Sequence, residues 1–97
     1  MDKQGFLHSF ELPSPPPGLS VCLQSLWYDA NDHWDKAHEL IQDLEDVQSA
    51  AMHAYLHRKE GDQFNANYWY RRAARKPFEG SLKEEFESLV QEFLSST

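Results

Sequence analysis

Apolar positions along this chain recur at helical spacing. Val21, Leu23, Leu26 and Trp27 predict a helix over about 20–30, broken by Ala30-Asn31-Asp32. Trp34, Ala37, Leu40, Ile41 and Leu44 form the apolar face of a second helix, with Asp32 as its expected N-cap and Asp35 adding negative charge to its first turn. A turn through Glu45-Asp46-Val47-Gln48 leads to a third helix over about 48–60, ended by Gly61. Asp62 then caps a fourth helix over about 63–75, and Pro77 stops it. In the last helix Ser81 and Glu84 have the spacing of a capping box, and Leu82, Phe86, Leu89, Val90, Phe93 and Leu94 fall on one stripe. Its other side, Glu84, Glu85, Glu87 and Glu92, is expected to face solvent. Strand signals are few, with no sustained alternation and two valines before Val90.

Ahead of these helices, residues 1–17 lead into the run Leu12-Pro13-Ser14-Pro15-Pro16-Pro17-Gly18, four prolines in seven residues, which cannot enter a helix interior. This segment reads as a Pro-rich tail acting as a spacer and adding little to the fold, with Phe6, Leu7, Phe10 and Leu12 able to drape over the body. Residues 18–97 are expected to form one helical domain. At 97 residues and 40% hydrophobic content there is room for one small core.

The two central helix pairs resemble each other. Trp34 matches Phe64 at a spacing of 30, whereas Ala37, Ile41 and Leu44 match Ala66, Tyr70 and Ala73 at 29. Such self-similarity marks stacked helical hairpins. With Gly61-Asp62, Ala66, Trp69-Tyr70, Ala73 and Pro77, residues of about 20–77 resemble the tetratricopeptide family, although Asn31 or Asp32 replaces the glycine in the first unit and the spacing is below the family's 34. The run from His53 to Ala73 also resembles a group of short, uncharacterised bacterial proteins, which supplies no function. The fold expected is all-α, with about five helices: two antiparallel, tetratricopeptide-like hairpins and a C-terminal closing helix. The family resemblance implies an interaction scaffold, with protein as the partner class.

The net charge of −7 disfavours general nucleic-acid binding. No apolar run is long enough to span a membrane and the N-terminus lacks the apolar core of a signal peptide, so a cytoplasmic protein without a membrane partner is expected. A lone cysteine, Cys22, suits a reducing compartment and reads as a small buried hydrophobe.

Three groups of residues carry chemistry. His53, His57 and Glu60 lie at i, i+4 and i+7 on one helical face, the spacing at which imidazoles and a carboxylate can share a metal ion. The glutamate that a metalloprotease places between its two histidines is missing, since the interior is Ala54-Tyr55-Leu56. The first reading of this face is therefore structural, and a metal-binding or hydrolytic protein is the alternative. His33 and His38 could join it if the helices pack suitably. The second group is basic. Arg58, Lys59, Arg71, Arg72, Arg75 and Lys76 hold six of the nine basic residues, behind an acidic stretch over 29–46. They are either paired internally or presented to an anionic ligand, with Arg72 and Lys76 on one helical side. The third is aromatic: most rings are expected in the core, leaving Tyr28 and Tyr68 to line a groove. The expected binding set is Tyr28, Arg58, Tyr68, Arg72 and Lys76. A homo-oligomer pairing its last helix through Phe86, Leu89 and Phe93 is a further reading. No motif assigns a catalytic residue or a cofactor.

Overall fold

Most of the helices begin where a short polar side chain can take up a free amide. In the computed structural model, which describes residues 1–96, Asp2 accepts from Gly5 N, Ser20 from Leu23 N, Asp46 from Ser49 N and Asp62 from Asn65 N. The capping box expected at the last helix is formed, with Ser81 and Glu84 each bonded to the other's backbone amide. Six α-helices follow: α1 (Lys3–His8), α2 (Val21–Ala30), α3 (Trp34–Ile41), α4 (Val47–Lys59), α5 (Gln63–Arg72) and α6 (Leu82–Ser95), with a 3-10 turn, Ser9–Glu11, behind α1. The described residues contain no strand. The fold is all-α, and α2 with α3 and α4 with α5 pack as two hairpins closed by α6. None of the helices is long and apolar enough to cross a membrane.

The two hairpin turns are built alike. Asp32 N donates to Asp29 O and His33 N to Tyr28 O; one hairpin later Gly61 N donates to Arg58 O and Asp62 N to His57 O. Both are helix ends closed by a left-handed residue, Asp32 at φ 63° and Gly61 at φ 90°. The structural repeat is therefore 29, and Asp32 corresponds to Gly61. Asp32 was expected as the N-cap of α3. It sits instead in the left-handed position, which aspartate tolerates better than most residues, and His33 takes the N-cap without a side-chain bond. Ala37 and Ala66 occupy matching buried positions, as do Ile41 and Tyr70. A third such end closes α5 at Arg72, short of the expected 75: Ala74 adopts φ 58° and Arg75 N returns to Tyr70 O.

The core gathers around α4, whose residues are buried without interruption from Ser49 to Leu56. Ala50, Ala51 and Ala54 let neighbours approach from several sides. Leu23, Leu26 and Trp27 of α2, Ile41 of α3, and Leu89, Val90 and Phe93 of α6 complete the main cluster. Cys22 is buried there, 3.5 Å from the Ser49 hydroxyl, and burial pushes its thiol pKa up. Trp34 Nε1 reaches across to Leu56 O at 2.9 Å and ties the two hairpins together.

Three expectations change. The N-terminal segment is more than a spacer. It forms α1 and places Phe6 in the core at 0% exposure, where Phe10 stacks edge-on at 5.1 Å and Ser9 O accepts from Trp27 Nε1 at 3.0 Å. The prolines lie in the irregular segment that links this arm to α2. Leu89 and Phe93 are buried within the chain, and Phe86 meets Phe10 and Tyr55, so the residues expected to pair with a second copy are packed against this chain's own core. Glu85 leaves the solvated face of α6. It is 3% exposed, accepts from Tyr70 Oη at 2.5 Å and pairs with Arg58 Nη1 at 2.9 Å. A carboxylate tolerates such burial only when paired and hydrogen-bonded.

Two outcomes follow from this packing. Phe6→Ala should cost about 3–5 kcal/mol in chemical denaturation, the range for emptying a buried phenylalanine site. An unchanged midpoint would mean that the arm does not dock in solution. Glu85→Ala should cost about 3–5 kcal/mol because Arg58 and Tyr70 lose their common acceptor, whereas Glu87→Ala on the exposed side of the same helix should lie within about 0.5 kcal/mol of the parent.

Candidate functional site

Between Ser49 and Leu56 the polar side chains of α4 are cut off from solvent, so each depends on what its neighbours bring. His53 is buried and projects toward α3 and α5. Trp69 of α5 lies flat on its ring, with centroids 3.8 Å apart and planes 13° apart. His38 of α3 meets its edge, Nε2 to Nε2 at 3.0 Å. His57, one turn along α4, stacks on His53 at 4.9 Å and lies 5.3 Å from the His38 ring. Trp34 in turn stacks on His38 at 4.9 Å with planes 9° apart. Three imidazoles from two helices are thus clamped between two indoles. One ring nitrogen from each of His38, His53 and His57 falls within 4.8 Å of the other two.

Glu60 does not join this inward set. Its carboxylate bonds His57 Nδ1 at 2.6 Å and fixes that ring from outside. Together with Asp62 these two residues form a second compact group, but both oxygens of Asp62 are engaged in capping α5 through Asn65. The expected trio of His53, His57 and Glu60 is therefore reorganised, with His38 taking the inward place and Glu60 a supporting one. The 15-residue separation of His38 from His53 makes this partnership conditional from sequence, since it depends on how α3 rotates against α4.

Burial dominates the protonation of the cluster. It lowers the His53 pKa to about 3, with the neighbouring His38 and His57 adding to the effect. Burial, and then His57, also lowers the His38 pKa. Both rings are neutral at neutral pH and keep a lone pair. His53 Nδ1 is buried with no hydrogen-bond partner, so Nε2 is that ring's only bonded nitrogen.

The basic cluster divides. Arg58 is drawn inward to Glu85 and to the carbonyl of Gly80. Lys59 pairs with buried Asp29 at 3.0 Å, and Arg75 with Glu92 through two bonds of 2.9 and 3.1 Å. These three are internal pairs. Lys76 is exposed but lies beyond the break at Ala74, so it does not continue the helical side of Arg72; Pro77 disfavours helical backbone at the residue before it. Tyr28 packs within the first hairpin, edge-on to Trp27 at 5.2 Å and near His33, with the Lys36 ammonium over its ring. Of the five residues expected to form a binding surface, the structure joins Tyr68 and Arg72: Arg72 Nη1 donates to Tyr68 Oη at 2.8 Å, and its guanidinium lies over the Tyr68 and Trp69 rings at 5.8 and 5.6 Å.

Phe64 completes that surface and was not anticipated. It is 84% exposed, one turn before Tyr68 at 40%. Phe64, Tyr68 and Arg72 therefore run at i, i+4 and i+8 along the outer face of α5, with Arg71 exposed beside them. The signal is present as this spacing, but the expectation that most of the hairpin rings enter the core hides it. In the 29-residue register Phe64 corresponds to Asp35, an exposed position.

The depressed His53 pKa gives folding a pH-dependent contribution. The unfolded chain protonates this residue near 6.5, while the folded chain resists until about 3. Its contribution is complete above about 6.5 and is lost as the pH falls through that window. In EDTA, the urea midpoint should fall between pH 7.5 and 5, and His53→Gln should flatten the fall. An equal slope in both proteins would mean that His53 is accessible to protons in the folded state.

No protein-family model matches the chain, and neither does any curated protein or solved structure.

Proposed function

We propose that this chain is a small helical interaction module that recognises an acidic, partly apolar segment of a partner protein through the outer face of α5. One observation carries the reading: Phe64, Tyr68 and Arg72 form an aromatic and cationic stripe on an exposed helix of a chain whose other apolar rings are mostly packed. Phenylalanine exposed to this degree gains nothing for the fold. Tyrosine and arginine are the side chains that most often dominate binding energy at protein interfaces.

Charge supports the choice of partner. The chain carries −7 overall, yet Arg71 and Arg72 are exposed at this edge, with no ion pair among the described residues. A carboxylate arriving here can bond the Arg72 guanidinium, which Tyr68 already orients, while an apolar side chain covers Phe64. The paired hairpins, each closed by the same left-handed turn, support the tetratricopeptide-like reading of the scaffold behind this face.

Selection from a random peptide library displayed on phage tests the proposal. Peptides recovered on the parent chain should be enriched in Asp and Glu beside aromatic or aliphatic residues. Their affinity should drop about 30-fold or more in the double variant Phe64→Ser, Arg72→Glu, with the thermal midpoint of the chain nearly unchanged. Peptides without acidic residues, or peptides that bind the double variant equally well, would refute the assignment.

A further inference from the structure

We propose that His38, His53 and His57 form a binding site for one divalent late transition-metal ion of the zinc class, with Glu60 as the outer carboxylate that orients His57. This site is independent of the partner surface on the far side of α5.

Geometry comes first. A tetrahedral ion bound at about 2.0–2.1 Å from each nitrogen holds its ligand nitrogens roughly 3.3 Å apart. His38 Nε2 and His53 Nε2 are 3.0 Å apart, and all three candidate nitrogens lie within 4.8 Å of one another. Small side-chain rotations bring such a set onto one ion. The rings are also held in place from outside. Trp69 fixes the plane of His53, and Trp34 that of His38, while Trp34 is itself anchored by its bond to Leu56 O. Preorganisation of this kind lowers the ordering cost of binding.

The orientation of His57 follows the arrangement found around histidine ligands in general, in which the nitrogen not facing the metal donates to a carboxylate. Here Nδ1 is taken by Glu60 Oε1 at 2.6 Å, which leaves Nε2 as the free nitrogen. His53 is buried, while His38 and His57 are half-buried and are the members of the cluster that reach solvent.

A purely structural role explains the cluster less well. The bond between His38 and His53 joins two like groups, and His53 Nδ1 remains buried without a partner. An aliphatic residue at 53 would pack against Trp69 without that desolvation cost. Three imidazole ligands select zinc, copper, nickel or cobalt over magnesium and calcium, which require oxygen ligands.

The test uses the untagged full chain after treatment with EDTA. Titration with zinc chloride in a calorimeter should show one saturable site of micromolar affinity or tighter, with a rise in thermal midpoint that follows zinc concentration. Cobalt should give a visible absorption band of a four-coordinate site, and copper should quench the fluorescence of Trp34 and Trp69. His38→Gln should weaken zinc binding at least 100-fold, and Glu60→Gln by about 10-fold to 100-fold. His8→Gln, an exposed histidine in α1, should leave binding unchanged. If His38→Gln fails to fold by circular dichroism, His57→Gln serves in its place. Absence of saturable binding at millimolar zinc overturns the proposal. So does binding that survives loss of His38 or His57, or binding that requires Asp62 and not His38, which would move the ion to the carboxylates.

Discussion

The constraint on which this fold depends is the burial of α4 from Ser49 to Leu56. Its alanines admit close neighbours, and its larger apolar residues fill the core between the hairpins and α6. The polar side chains on and beside this stretch then find their partners in the elements packed around it. Ser49 bonds Asp46, His53 meets His38, Arg58 finds Glu85, and Lys59 reaches Asp29. Each partner comes from the capping turn, from α3, from α6 or from α2. The polar contacts of the central helix thus fix how the surrounding elements are placed, because a buried polar group left unpaired costs far more than a surface one.

Charge in this molecule is organised by the same requirement. The acidic and basic stretches look like opposed surface fields along the chain, yet half of the basic cluster is paired within the fold. Arg58 and Lys59 at the end of α4 bridge to Glu85 of α6 and Asp29 of α2, and Arg75, beyond the end of α5, pairs with Glu92 of α6. Burial makes the first two of these more consequential than exposed ion pairs. What remains outside on α5 is Arg71 and Arg72, beside Phe64 and Tyr68. Trp69 lies between the two features of interest: one face stacks on His53, while Tyr68 meets it edge-on at 5.1 Å and Arg72 lies over it.

The helices were legible because their determinants are local. Hydrophobic spacing, the Ser81–Glu84 box, the Asp62 cap and the Gly61 turn all act within a few residues, and each appears where expected. The hairpin repeat was also readable, although two registers competed until the turn hydrogen bonds decided for 29. The histidine face was half visible: His53 and His57 share a helix, so their proximity follows from period alone. His38 required the rotation of another helix. Tyr68 and Arg72 were visible for the same local reason, whereas Tyr28 and Arg58 were assigned to a shared surface that the packing of their own elements prevents.

The sequence by itself determined the helical class, most of the element boundaries and the segregation of apolar faces, since backbone propensity, capping and period operate over one or two turns. Only the tertiary structure decided that Phe6 belongs to the core and Phe64 to the surface, that Glu85 is buried while Glu87 is exposed, and that three histidines converge. Those outcomes depend on which residues distant in the chain become neighbours. Free energy depends on the paired environment of a side chain, and a one-dimensional pattern records its type but not its partner.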